Sequence, residues 1–273
     1  MPGGYAMSMQ TETIAALGSL RASRRADACS NTRILGPACL GNPSGARRTR
    51  ETHMPHTIAL IGGTGPEGRG LATRFALAGH RVIIGSRDAE RGVAAGTELA
   101  ATLGRTNVEG AGNDTAAAEA DIIVVVVPYS AHRATLEGLR AQIAGKILVD
   151  AVVPMVFDRG PRPVDVPAGS ATEEAAEILK DDNVRVIGAF HNLSAEVLLE
   201  PDVPLNADVL VTGADAEAKQ VVMALAGEIA GVRGVDAGPL RFSRFVEDIT
   251  ILLVGINGRY KAHAGVHIAG LDH

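Results

Sequence analysis

From Thr57 onward, apolar positions follow two alternating rhythms. Short unbroken aliphatic runs, Ile58 to Ile61, Arg81 to Ile84, Asp121 to Val127 and Lys146 to Val149, read as strands covered on both faces. Between the first three lie Gly68 to Ala78 and Ala89 to Leu103, where apolar residues recur at helical spacing with charges on one side. Val108 to Ala111 reads as a further short strand, with Asp114 capping a brief helix from Thr115 to Glu119. A helix is expected from Ala131 to Gln142. Strands alternating with helices predict an α/β fold, a Rossmann-type doubly wound and mostly parallel sheet. Met155 to Gly169, with Pro161, Pro163 and Pro167, reads as a long loop of the kind that is functional or mobile. Then come a helix from Thr172 to Lys180 with a capping-box-like start, strands at Val184 to Ala189 and Asp208 to Thr212, and a helix from Asp215 to Ile229. The segment from Leu240 to the end reads as largely helical. Residues 54–235 are therefore assigned to the Rossmann-type domain, and 236–273 to a small helical C-terminal part that closes a substrate cleft.

Residues 1–53 break this rhythm. They mix Ala, Gly, Ser and Arg without periodicity and carry net charge +4, which leaves −9 for the remainder. An Arg-rich, acid-poor start has the composition of a transit peptide, yet Met54 stands just before the first strand. A disordered or non-native N-terminal extension is the preferred reading. Both cysteines, Cys29 and Cys39, lie in it, so the body has no disulfide, thiol nucleophile or cysteine metal site. The overall charge of −5 gives no sign of a nucleic-acid partner. No apolar run approaches the ~20 residues that span a bilayer, so no membrane partner is expected and the location is read as cytoplasmic. Aromatic residues make up 3% of the chain, which requires an aliphatic core.

The candidate chemistry sits around the first two strands. Gly63, Gly65 and Gly68 have G-x-G-x-x-G spacing, between a strand and a helix. Gly63 would permit the tight turn, Gly65 the approach of a pyrophosphate, and Gly68 close packing of helix on strand. At the end of the second strand, an NAD site would carry an acidic residue for the ribose hydroxyls. This chain has Ser86 and Arg87 there, and Arg91 one helical turn on. A hydroxyl and two guanidinium groups suit a 2′-phosphate, so the expected cofactor is NADP(H). Asp88 is read as the cap of the next helix.

Five segments, GGTGPEGRGLATR, GSRDAER, VVVVPYSAH, AVVPMVFDRG and VDAGPLRFSRFVEDIT, make the body resemble the NADPH-dependent reductases of the deazaflavin coenzyme F-420. The resemblance runs from about Thr57 to about Leu271. It implies hydride transfer between NADP(H) and the deazaflavin as co-substrate, both small-molecule redox coenzymes. It implies cofactor contacts at Gly63, Thr64, Gly65, Pro66, Glu67 and Gly68, a phosphate clamp of Ser86, Arg87 and Arg91, and a nicotinamide rim of Val127, Pro128, Val153 and Ala195. Tyr129 stands where the family often has a larger aromatic residue, and Asn192-Leu193-Ser194 departs from its usual sequence.

Hydride transfer between two cofactors asks for positioning more than for side-chain chemistry, so no catalytic acid or base is assigned. His191 and Asn192, just past a strand end, are candidate substrate-binding residues, although a structural role for His191 fits equally. Arg241 and Arg244 either reach the acidic tail of the deazaflavin or are solvated charges. His263 and His267, read at helical i, i+4 spacing, are not expected to hold a metal. Leu252, Leu253 and Ile256 form an apolar stripe, read as core or as a homodimer interface. Two other functions stay open at this point: an NADP-dependent reductase of a small imine or carbonyl compound, and a non-catalytic NADP sensor.

Overall fold

The computed structural model describes residues 54–271. The expectation for residues 1–53 falls outside them. The chain opens with β1 (Thr57–Ile61), α1 (Pro66–Ala78), β2 (Arg81–Ser86), α2 (Ala89–Leu103), β3 (Val108–Gly112), α3 (Asn113–Glu119) and β4 (Ile122–Val125). It continues through α4 (Tyr129–Gly138), α5 (Arg140–Ile143), β5 (Ile147–Asp150), β6 (Met155–Phe157), β7 (Pro161–Pro163), α6 (Ala171–Ile178) and β8 (Arg185–Gly188). It closes with α7 (Ala195–Leu198), β9 (Ala207–Gly213), α8 (Ala216–Gly227), β10 (Val232–Gly238) and α9 (Ser243–Tyr260), the last preceded by one 3₁₀ turn, Leu240–Phe242.

Eight strands form one sheet in the order β10-β9-β8-β5-β4-β1-β2-β3. The six from β3 to β8 run parallel, and β9 enters antiparallel to β8. The order reverses between β1 and β4, the switch point where doubly wound sheets leave a crevice beyond their carboxyl ends. Successive strand residues face opposite sides, so the unbroken aliphatic runs divide between two cores. Ile58, Leu60, Ile122 and Val124 pack with α1, α2 and α8; Ala59, Ile61, Ile123 and Val125 pack with α3, α4, α5 and α6.

Several expected elements change. The loop expected from Met155 to Gly169 contains an antiparallel hairpin, β6 paired with β7, turned through Arg159 and Gly160 at positive φ. The single helix expected from Ala131 to Gln142 starts at Tyr129 and breaks at Leu139, after Gly138, a poor helix former. Asp114 does not cap α3; Gly112 holds that position with no side-chain bond. The capping serine of α6 is Ser170, which accepts from Glu173 N at 3.0 Å, so the helix begins at Ala171. The boundary read at residue 235 cuts through β10, whose ladder with β9 continues to Gly238. Finally, α9 stops at Tyr260, where Lys261 takes the left-handed conformation. Residues 261–271 are not helical, so His263 and His267 do not share a helix face. Their chain runs back over β9, where Asp208 N donates to Val266 O.

Candidate active site

The crevice at the switch point is built around the β1–α1 turn. Gly62, not Gly63, takes the left-handed conformation, φ +76°. Gly63 is needed for a different reason, because a Cβ there would lie 2.6 Å from Leu60 Cβ. Its N–H donates to Gly85 O at 3.0 Å, tying the turn to the end of β2. A Cβ on Gly68 would meet Gly63 Cα at 2.4 Å, so α1 sits directly on the turn, as its glycine spacing implied. A Cβ on Gly65, by contrast, would meet nothing within 4 Å among the described residues. Pro66 begins α1 and has no N–H to satisfy, which leaves the amides of Glu67 and Gly68 without partners inside the helix. Burial raises the Glu67 carboxyl to about 8, so it is mostly neutral at pH 7 and does not oppose an anion at this helix end.

At the end of β2, Ser86 is buried and its Oγ accepts from Asp88 N at 3.2 Å. Asp88 Oδ1 accepts from Glu90 N and Arg91 N, the cap read from the sequence. Arg87 and Arg91 are exposed, and neither has an ion-pair partner among the described residues. A buried hydroxyl and two exposed guanidinium groups, without ion pairs among the described residues, thus follow one another at the end of β2 and the start of α2.

Across the switch point, Val127 touches the turn: a Cβ on Gly62 would lie 2.5 Å from its Cγ1. Pro128 is exposed at the start of α4, and Val153 is half-buried beyond β5. Ala195 begins α7, which lies on α1 so closely that a Cβ on Gly70 would be 2.5 Å from Leu198 Cβ. Arg74 of α1 pins the same loop. Its buried guanidinium donates to the carbonyls of Val197, Leu198, Glu200, Pro201 and Val203. His191 and Asn192 are buried at the end of β8, each only 3% exposed. Among the described residues, neither ring nitrogen of His191 has a partner and Asn192 Oδ1 has none either, while Asn192 Nδ2 donates to Asp208 O at 2.7 Å. Burial pushes His191 down to about 4, against a smaller upward pull from Asp150, so the ring is neutral.

Residues 57–154 match the family model for the coenzyme F420-dependent NADP oxidoreductases. The F420-dependent NADP reductase of Methanothermobacter thermautotrophicus is 44% identical over 80% of this chain and 97% of its own length. The chain belongs to the F420-dependent NADP reductase family. The reductase of that name from Methanocaldococcus jannaschii is 39% identical over 79% of this chain and 99% of its own. A solved Arthrobacter structure assigned as an F420-dependent NADP reductase superposes with a TM-score of 0.66 at 27% identity, covering 78% of this chain and 98% of that one.

In this family member, the crevice also rests on residues that the sequence reading passed over. Asn113 is buried at the start of α3, and its Oδ1 accepts from Gly62 N at 3.3 Å, bracing the turn. The motif offered Asp114 as a cap, and nothing local distinguished its neighbour. Behind Val127 and Val153 lies a buried polar cluster of His132, Asp150, Glu174, Thr172 and Glu247. The sequence separations between its bonded partners, from 18 to 75 residues, left no pattern to find. Arg244, for which an acidic coenzyme tail or plain solvent are the two expectations, is bonded to both carboxylate oxygens of Glu173. Arg241 stays exposed, its guanidinium 5.2 Å over the Phe242 ring. His263 lies 3.2 Å from Glu196, and His267 3.6 Å from Asp208. Among the described residues, no helix is long and apolar enough to cross a membrane.

Proposed function

We propose that this protein transfers a hydride between NADP(H) and the deazaflavin coenzyme F420. The observation that carries this reading is the agreement, at 44% identity, with nearly the full length of a reductase named for that pair. When bound, the two coenzymes supply the hydride donor and acceptor carbons themselves. The protein's part is to hold them face to face and keep water out.

The turn from Gly63 through Thr64, Gly65, Pro66, Glu67 and Gly68 is suited to the pyrophosphate. It combines a face that no side chain fills, two free amides at a helix N-terminus, and a neutral Glu67. Ser86, Arg87 and Arg91 would hold the 2′-phosphate, since no ion pair among the described residues competes for either guanidinium. Val127, Pro128, Val153 and Ala195 would line the nicotinamide end with aliphatic surface that shields the rings without competing chemistry. The orphaned nitrogens of His191 and Oδ1 of Asn192 fit the polar edge of the second coenzyme. Neutral His191 acts there as a hydrogen-bond partner rather than as an acid. The C-terminal part from residue 236 would close the cleft. Phe245 and Leu252, 58% and 62% exposed on α9, support a homodimer through this helix. A cytoplasmic location goes with the use of NADPH.

Mixing the purified protein with NADPH and oxidised F420 tests the reading: the deazaflavin absorbance should bleach. Confirmed NADPH binding with no bleaching would refute it.

A further inference from the structure

Five ionisable or hydroxyl side chains, His132, Asp150, Thr172, Glu174 and Glu247, lie buried behind the rim. His132, four residues into α4, is fully buried. Its Nε2 lies 2.7 Å from Asp150 Oδ2 and its Nδ1 3.1 Å from Glu174 Oε2. Asp150 ends β5, and its other oxygen accepts from Val152 N at 2.9 Å. One carboxylate thus grips both the helix that follows Val127-Pro128 and the backbone that carries Val153. Glu174 is shared with Arg133, at 2.8 Å, so α6 is drawn against α4. At the N-terminus of α6, Glu247 of α9 accepts from Ala171 N, Thr172 N and Thr172 Oγ1. A continuous polar chain therefore runs from the two rim segments, through the first turn of α6, to the C-terminal helix.

A histidine with a carboxylate on each ring nitrogen can satisfy both only as the imidazolium, which donates twice. Burial would push its pKa down, but the charges and hydrogen bonds of Asp150 and Glu174 outweigh this and raise it to about 9. The groups facing it are Asp150 on β5, Glu174 on α6, and on α4 itself Arg133 and the Tyr129 ring, stacked 6.1 Å away. Glu247 completes the cluster from α9.

We propose that His132 is a positioning residue: bridging Asp150 and Glu174, it fixes the spacing between the Val127-Pro128 and Val152-Val153 rim segments on which hydride transfer geometry depends. The proposal rests on the hydride-transfer reading above and adds to it the device that sets the geometry. His132, fully buried, would act on neither coenzyme directly. It acts through Asp150, whose bond to Val152 N sets the height of one rim segment relative to the other. Losing the bridge lets the two segments drift, and misplacement by an ångström at a reacting pair costs ~100-fold in rate. The β1–α1 turn touches Val127 but is tied separately to Gly85 O, and the Ser86-Arg87-Arg91 cluster lies at the end of β2, so NADPH binding is expected to change less than the rate.

The test uses the full chain with NADPH, 4-deuterated NADPH and oxidised F420, in wild type, His132→Gln and Asp150→Asn. The expected result is a single-turnover rate lowered ~10–100-fold in each variant with the NADPH dissociation constant changed by less than about threefold. The double variant should be no slower than the slower single one, because both break the same bridge. The wild-type rate should fall as the pH passes about 9, and the variants should lack that limb. A folded His132→Gln protein transferring hydride at the wild-type rate overturns the proposal, as does an equal loss of binding and rate tracking a lowered melting temperature. Should His132→Gln not fold, a wild-type rate that stays flat through that pH range in folded protein overturns it without any variant. No transfer in the wild type overturns the parent reading and this proposal together, whereas normal transfer that survives His132→Gln overturns this proposal alone.

Discussion

Replacing Gly68 by alanine probes how the cofactor turn is built. The added Cβ would lie 2.4 Å from Gly63 Cα and 2.7 Å from Gly63 O, both backbone atoms that cannot rotate away. Carbon atoms in comfortable contact are ~3.5–4.0 Å apart, so α1 and the turn must separate by about 1 Å. Overpacking of this kind costs ~1–3 kcal/mol, and part is returned because alanine favours the helix by up to ~1 kcal/mol over glycine. The fold should therefore survive with a modestly lower melting temperature. Binding should suffer more. The shift moves the Glu67 and Gly68 amides away from where a phosphate oxygen would accept, and a hydrogen bond to a charged group contributes ~1.5–3 kcal/mol. Loss of one such bond raises the NADPH dissociation constant ~10–100-fold, measurable by quenching or enhancement of NADPH fluorescence. Gly65→Ala is the companion. Its Cβ meets no protein atom within 4 Å, so the melting temperature should not move, yet the methyl group points into the face assigned to the pyrophosphate and binding should again weaken. If Gly68→Ala binds NADPH within about twofold of wild type, the turn does not hold the pyrophosphate as described.

Other perturbations report on separate parts of the structure. Arg87→Ala should weaken NADPH by about 1.5–3 kcal/mol and NADH hardly at all, in parallel titrations; equal losses would show that the 2′-phosphate lies elsewhere. Stability should fall as pH rises from about 6.5 to 9, followed by thermal melts. His132, raised to about 9, contributes fully below its unfolded value of 6.5 and loses that contribution as pH passes 9. Glu247 is raised to about 8, chiefly by burial, so its contribution is full below 4.5 and is lost as pH passes 8, in the same direction. A melting temperature that climbs across this range would contradict both assignments. Leu252→Glu, on the exposed side of α9, should turn a dimer into monomers in sedimentation analysis without altering the fold. An unchanged sedimentation coefficient would place any subunit contact elsewhere.

What the sequence determined by itself is local. The aliphatic runs and helical spacings gave the strands and helices of a doubly wound sheet, because burial on both faces imposes unbroken apolar strands. The Asp88 cap and the packing of Gly68 on Gly63 were legible because those residues act on neighbours close along the chain. The hairpin of β6 and β7 was not legible, since prolines obscure a short strand whose only support is its partner. Nor was the left-handed residue assignable between Gly62 and Gly63, where either could turn the chain. The burial of His191, the pairing of Arg244 with Glu173 and the bracing of Gly62 by Asn113 depend on which elements the crossovers bring together. The cluster behind the rim shows this most clearly. His132 meets Asp150 across 18 residues and Glu174 across 42, while Glu247 reaches Thr172 across 75. No local pattern links those positions. Only the packing of α4, α6 and α9 beyond the ends of β4, β5 and β8 draws them into one low-dielectric space, where each charge must find its partner or be neutralised by a change of protonation.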